Sequence, residues 1–294
     1  MWTDESPMLP SQNGKTSHIT LIDPDKQSPE VAANRALVAV ECGTSAIFVG
    51  GSTNTGNDLV HATCQAIQEA LELRIFAASQ HPDANEEMWN VPVILFPGGA
   101  HAMSSSADGI LFMMLMNSRS RRFLIEEQLL GAPLIDQFGI KPIPTGYIVC
   151  APGGKVGEVG DADLIQSNDL KAVSAYCKTA EMYGFSTIYL EAGSGASDPV
   201  NVELIQIAKA SSKCTLIVGG GIRTSDQLLA AANAGADYIV TGRQGRGSHL
   251  REGAVGGDDG RLGGRNPRNR RPARCPRSLI DRDPPQPRPE RGDE

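Results

Sequence analysis

The 294-residue chain has a formal net charge of −7, and its longest apolar run, residues 110–116, is far too short to cross a bilayer. An acidic body argues against general nucleic-acid binding, which needs a basic face, and residues 1–17 lack the apolar core of a signal peptide. The six cysteines (Cys42, Cys64, Cys150, Cys177, Cys214, Cys275) show no CxxC spacing, which speaks against a zinc or dithiol motif. The expectation is a soluble, cytoplasmic protein.

In chain order, short β-branched runs alternate with helical patterns. Strands are predicted at 18–23, 46–49, 91–96, 110–116, 145–149, 187–190, 215–218 and 238–240. Helices are predicted at 28–41, from a cap at Asn57 onwards, and at 122–137. Three more follow: one capped by Ser167 or Asn168 and stopped by Gly184, one at 199–210, and one opened by a capping box at 224–227 and closed by Gly235. Eight strands separated by helices point to a closed parallel (β/α)₈ barrel, a TIM barrel, over residues 18–242. Residues 1–17 read as a disordered N-terminal arm.

Composition breaks at Arg243. From there to Glu294 the chain contains thirteen Arg, nine Gly and seven Pro, no Lys and no aromatic residue. Such a segment cannot bury enough apolar surface to offset its ordering entropy, so 243–294 is predicted to be a disordered tail that stands where a barrel's last helix should be. The abrupt break favours a frameshifted end over an Arg/Gly interaction tail, which would interleave aromatics.

Candidate chemistry falls at the C-terminal strand ends, where barrel active sites are built. Asp23, with a hydroxyl such as Ser52, suits Mg²⁺, a hard ion that takes oxygen ligands and substrate phosphate. A turn-capping Asp-Pro-Asp is an equally good reading of 23–25. Lys26 meets a phosphate or lies in solvent. Glu191, between an apolar strand and AGSG at 192–195, is a candidate general base, with pairing to a buried Lys or Arg as the alternative. Gly193, Ser194, Gly195, Gly220 and Gly221 offer backbone donors to a phosphate, although each taken singly fits a turn glycine. Arg119, Arg121 and Arg122 either bind diphosphate or cap the following helix. The methionine-rich 111–116 suits barrel core or a channel for a flexible lipid chain. His18, His61, His81, His101 and His249 show no metal-ligand spacing.

Taken together, LIDPDK at 21–26, VGGS at 49–52, FPG at 96–98, YLEAGSG at 189–195, VGGGI at 218–222 and VTG at 240–242 resemble the geranylgeranylglyceryl phosphate synthase family. The resemblance implies a Mg²⁺-dependent prenyltransferase on a (β/α)₈ fold. Such an enzyme joins the geranylgeranyl group of geranylgeranyl diphosphate to the 3-hydroxyl of sn-glycerol 1-phosphate and releases diphosphate, in archaeal ether-lipid synthesis. Bacterial relatives use a heptaprenyl donor. It further implies that Asp23 and Ser52 hold Mg²⁺ and that Glu191 is the catalytic base. The glycerol phosphate site would comprise Tyr189, Leu190, Glu191, Ala192, Gly193, Ser194, Gly195, Gly220, Gly221, Gly242 and Arg243. A homo-oligomer with transient membrane-surface contact is expected, and no cofactor beyond the metal. The family usually places a small polar residue where this chain has Arg243, so the departure falls inside the phosphate site. Two alternatives remain: a sugar-phosphate isomerase or aldolase on the same scaffold, and a barrel inactivated by its altered end.

Overall fold

Each apolar run identified above becomes one stave of a closed barrel in a computed structural model, which describes residues 7–9, 15–50, 55–82 and 84–242. The strands are β1 (Ser17–Ile22), β2 (Ala46–Val49), β3 (Val93–Leu95), β4 (Gly109–Leu115), β5 (Lys141–Val149), β6 (Thr187–Glu191), β7 (Thr215–Gly219) and β8 (Tyr238–Gly242). All pair in parallel in chain order, and β8 closes on β1 with Leu21 opposite Gly242. The helices are α1 (Pro29–Glu41), α2 (Asn57–Ser79), α3 (Glu127–Phe138), α4 (Gly154–Val159), α5 (Leu170–Met182), α6 (Val202–Ser211) and α7 (Ser225–Asn233). The described residues fall in one unit, 1–244; the expected tail 243–294 and its missing helix lie outside them.

Side chains alternate across the staves, as a pleated strand requires. Ile19, Phe48, Ile94, Leu111, Tyr147, Tyr189, Ile217 and Val240 fill the interior. Their neighbours point outward into two separate layers. Ile47, Val49, Val93, Leu95 and Ile110 pack with α1 and α2, whereas Ile148, Ile188, Leu190, Leu216, Val218 and Ile239 pack with α5, α6 and α7.

Several boundaries differ from the sequence expectation. β5 starts at Lys141, four residues early, despite Pro142 and Pro144. The even-numbered residues of β5 face β6, as the Ser186 N–H to Pro144 carbonyl bond shows, and β6 begins only at Thr187, opposite Thr145. The two prolines therefore lie below the ladder, where no N–H is needed. Asn57 does not cap α2; Gly56 takes that place, and the Asn57 side chain instead accepts from the Met103 N–H, tying α2 to the loop after β3. Asp169, not Ser167 or Asn168, caps α5 by accepting from the Ala172 N–H. The loop after β5 contains the short α4, and the helix expected from 122 opens with a π-helical turn, Arg122–Glu126.

The expected disordered arm 1–17 is corrected at two points. Ser17 already belongs to β1, and Leu9 is only 4% exposed, packed on the floor of the barrel with its carbonyl accepting from the Thr215 hydroxyl. An apolar side chain near the open base of the stave ring gains more from burial there than a free arm gains in entropy.

Candidate active site

At the C-terminal mouth, β6 turns Glu191 inward because it shares the parity of Tyr189 along the strand, opposite Val149 of β5 and Gly219 of β7. Its side chain is 5% exposed. Oε1 accepts from the Gly193 N–H at 2.6 Å and Oε2 from the Tyr147 hydroxyl at 3.2 Å, and the nearby Tyr189 hydroxyl also favours the charged carboxylate. Among the described residues no Lys or Arg pairs with it, so the ion-pair alternative finds no partner there. Burial raises its pKa to about 7, even though these three groups pull it down. A carboxylate poised near neutrality is suited to accepting a proton.

Aromatic rings hold this carboxylate from below. Phe96 stacks on Tyr189 with centroids 5.3 Å apart and planes 11° from parallel, and Tyr147 meets Tyr189 at 5.2 Å. Gly219 is required beside them, because a Cβ there would collide with the Tyr189 hydroxyl. Burial and the nearby Glu191 charge push both tyrosine pKa values well above 10, so each stays a hydrogen-bond donor.

The glycine loops interlock around Glu191. Gly193 takes φ +106, and a side chain there would run into the Gly153 backbone, whose N–H bonds the Ala192 carbonyl. Gly220 takes φ +76, and its Cβ would land on Glu191 Oε1 and the Gly193 backbone. Gly221 backs onto Asp198 in the same way. The loops after β5, β6 and β7 therefore meet without intervening side chains, a backbone-lined cradle at the expected phosphate position.

The other residues predicted from sequence divide into three groups. Tyr189, Gly193, Gly220 and Gly221 lie with Glu191 in this cluster, Ser194 and Gly195 follow exposed in the same loop, and Gly242 ends β8 beside Leu21. Leu190 and Ala192 are fully buried in the outer layer, and the Ala192 backbone is bonded to Gly219 and Gly153, so they shape the strand end without offering a group to a ligand. Ser52 and Arg243 lie outside the described residues.

Asp23 follows β1. Its Oδ1 accepts from the Asp25 N–H at 3.1 Å and its Oδ2 pairs with Lys26 at 2.7 Å. The turn-capping reading holds: Asp23 caps the 3₁₀ turn Pro24–Lys26. Among the described residues no group of three or more His, Cys, Asp or Glu could cage a metal. Mg²⁺ commonly binds through one or two carboxylates with substrate phosphates completing its shell, so Asp23 fits an ion shared with a ligand and not a preformed cage.

Lys26 is thus engaged with Asp23, and the arginine cluster is engaged too. Arg119 pairs with Asp161, Arg121 with Glu126 and Arg122 with Glu127. Sequence reasoning missed Tyr147, whose hydroxyl reaches Glu191, and Arg223, whose guanidinium bonds the Gly195 and Ala196 carbonyls. The signal for Tyr147 was its parity on β5, which aims it at the barrel axis. No helix among the described residues is long and apolar enough to cross a membrane.

Comparison with known proteins gives this geometry a family. The chain is 42% identical to a geranylgeranylglyceryl phosphate synthase of Methanothrix thermoacetophila over 227 residues, which is 77% of this chain and 82% of that protein. The solved wild-type enzyme of Thermoplasma volcanium superposes with a TM-score of 0.69 at 41% identity, covering 78% of this chain and 84% of that one. The (S)-3-O-geranylgeranylglyceryl phosphate synthase of Thermoplasma acidophilum, solved in complex with its substrate sn-glycerol-1-phosphate, gives 0.70 at 36% identity, covering 80% and 88%. The PcrB family matches residues 11–247, and with these relatives it establishes that the chain belongs to that family, as a relative of the geranylgeranylglyceryl phosphate synthases.

Proposed function

We propose that this protein is a prenyltransferase that joins the geranylgeranyl group of geranylgeranyl diphosphate to the 3-hydroxyl of sn-glycerol 1-phosphate, in the first ether-forming step of archaeal lipid synthesis. The observation that carries the reading is the contact between Glu191 and the glycine cradle. The base and the phosphate-gripping backbone share one wall, because Gly220 leaves no room for even a methyl group between them. A glycerol phosphate held in the cradle by its phosphate would bring a hydroxyl two carbons away to Glu191.

The residues then divide the work. Backbone N–H groups of Gly195, Gly220 and Gly221 bind the acceptor phosphate and fix its orientation, which lowers the entropic cost of the encounter, while the Gly193 N–H is given to Glu191. Glu191 accepts the hydroxyl proton as the glycerol oxygen forms a bond to the first prenyl carbon; the bond from that carbon to the diphosphate oxygen breaks, and its electron pair leaves with diphosphate. Tyr147 and Tyr189 hold the carboxylate in the orientation that receives the proton. Asp23 would hold Mg²⁺, and the ion would supply charge neutralisation to the leaving group. The interior aromatics and Met113 of β4 exclude water beside the reacting carbon and offer an adaptable wall for a prenyl chain.

The test is direct. Purified protein, Mg²⁺, geranylgeranyl diphosphate and sn-glycerol 1-phosphate should yield the ether product by mass spectrometry, with release of one diphosphate. Omission of Mg²⁺ should abolish the product. Turnover of a sugar phosphate without any prenyl donor would favour the isomerase or aldolase alternative, and absence of both reactions would favour an inactive barrel.

A further inference from the structure

Arg223 lies two residues beyond Gly221 in the loop after β7, and its guanidinium donates to the carbonyls of Gly195 at 3.1 Å and Ala196 at 2.7 Å. One terminal nitrogen, Nη2, makes both bonds and thus links the β7 loop to the far end of the β6 loop. The base of the side chain is fixed as well. The Arg223 N–H donates to the Gln227 side chain at 2.8 Å, and Gln227 belongs to the capping box that opens α7, with the Thr224 hydroxyl accepting from the Gln227 N–H. The start of a helix therefore anchors an arginine that ties down the neighbouring loop.

Charge adds a second argument. Arg119, Arg121 and Arg122 are each paired with a carboxylate. Among the described residues no carboxylate pairs with Arg223, so its positive charge is spent on carbonyl dipoles beside the glycine cradle. A cation in that place favours an anion on the adjacent backbone donors, and the long, always-charged arginine side chain reaches both carbonyls with one nitrogen.

We infer that Arg223 is a positioning residue for the acceptor's phosphate: it holds the 193–196 loop closed against Gly220 and Gly221 and contributes positive potential there, without taking part in proton transfer. The inference rests on the reading of these loops as a phosphate cradle, and its test separates the two. Full-length wild-type protein, Arg223→Met and Arg223→Lys are titrated by calorimetry with inorganic phosphate and with sn-glycerol 1-phosphate, and assayed for prenyl transfer. Arg223→Met should weaken both ligands by about tenfold, the scale of one charge-assisted contact, and raise KM for glycerol phosphate by the same factor. Its kcat and its KM for the prenyl donor should stay within about twofold, because Glu191 and Asp23 are untouched. Arg223→Lys should fall between wild type and Arg223→Met, and it serves as the test if the methionine variant fails to fold. Equal phosphate affinity in wild type and variants would overturn the inference, as would a parallel loss in kcat and donor KM, which marks a general structural role. Weakened phosphate binding in a protein that transfers no prenyl group would uphold the role of Arg223 and overturn the proposed reaction.

Discussion

From β5 to β8 the loops at the barrel mouth touch through bare backbone: Gly153 against Gly193, Gly193 against Gly220, Gly221 against Asp198, with Arg223 drawn across them. From β1 to β4 the corresponding region is built from side chains: Phe96, Met113, a π-helical turn before α3, and Asp23 held by Lys26. Two buried polar atoms, His101 Nε2 and Gln128 Oε1, have no partner there among the described residues. The difference fits the two substrates proposed. A small dianion is best held by fixed backbone donors, where any added atom would be a collision. A long apolar chain is best met by adaptable rings and thioethers. Substitutions should therefore act sharply on the second half of the barrel and gradually on the first.

The largest effect is expected at Glu191. Glu191→Gln should lower kcat by about a hundredfold or more while glycerol phosphate still binds, and kcat/KM of the wild type should rise with pH through about 7 as the carboxylate loses its proton. Stability should move the opposite way. A carboxylate whose folded pKa is raised from 4.5 to about 7 contributes stability that is complete below pH 4.5 and is lost as pH rises through 7. Thermal melts at pH 8 should thus find Glu191→Gln more stable than wild type, and a lower melting temperature would mean that the hydrogen bonds from Gly193 and Tyr147 outweigh the cost of burying the charge.

Next in size is Gly220→Ala. The new methyl group would strike Glu191 Oε1, and the left-handed backbone adds about 1–2 kcal/mol of strain. Both kcat and glycerol phosphate affinity should fall by tenfold or more, measured by steady-state kinetics and calorimetry. An alanine variant with wild-type kinetics would show that the β6 and β7 loops do not close as one cradle.

Asp23→Asn probes the other half. Prenyl transfer should be crippled even at saturating Mg²⁺, with the melting temperature nearly unchanged because the Asp23–Lys26 pair is partly exposed and such pairs contribute about 0–1 kcal/mol. Near-normal turnover would remove Asp23 from the metal site.

A smaller and more diagnostic change belongs to Tyr147→Phe. The Tyr147 hydroxyl lowers the pKa of Glu191, so its loss should shift the acidic limb of the pH–rate profile upward and reduce kcat at pH 7 by about tenfold or less. At pH 9 much of the deficit should vanish. A deficit that persists unchanged across pH would mean that Tyr147 serves packing alone. The smallest effect is expected for Arg121→Ala, whose exposed pair with Glu126 should leave melting temperature and kinetics within about 1 kcal/mol of wild type.

The eight staves were readable because each is a short β-branched run bounded by turn residues; β2 was predicted at 46–49 and occurs at Ala46–Val49. The capping box at 224–227 was readable for the same local reason, since its donors and acceptors lie within one helical turn. Other features depended on neighbours distant in the chain. The early start of β5 through two prolines depends on where β6 begins, and Asn57 abandons its cap for Met103, 46 positions later.

At the site, the sequence by itself determined which residue types stand at the strand ends: an acid at 23, an acid at 191, and glycines at 193, 195, 220 and 221. Strand parity is a local property, so it also aims Glu191 at the axis. Only the tertiary structure decided that Glu191 has hydroxyl and backbone donors in place of a cation, and that Tyr147 shares it from 44 residues away. It alone disclosed Arg223 as a tie between two loops, because a guanidinium reaching carbonyls 27 and 28 positions earlier leaves no periodic trace in the chain. The raised pKa of Glu191 belongs to the same class. Desolvation is the sum of everything packed around a group, and that sum exists only once the barrel has closed.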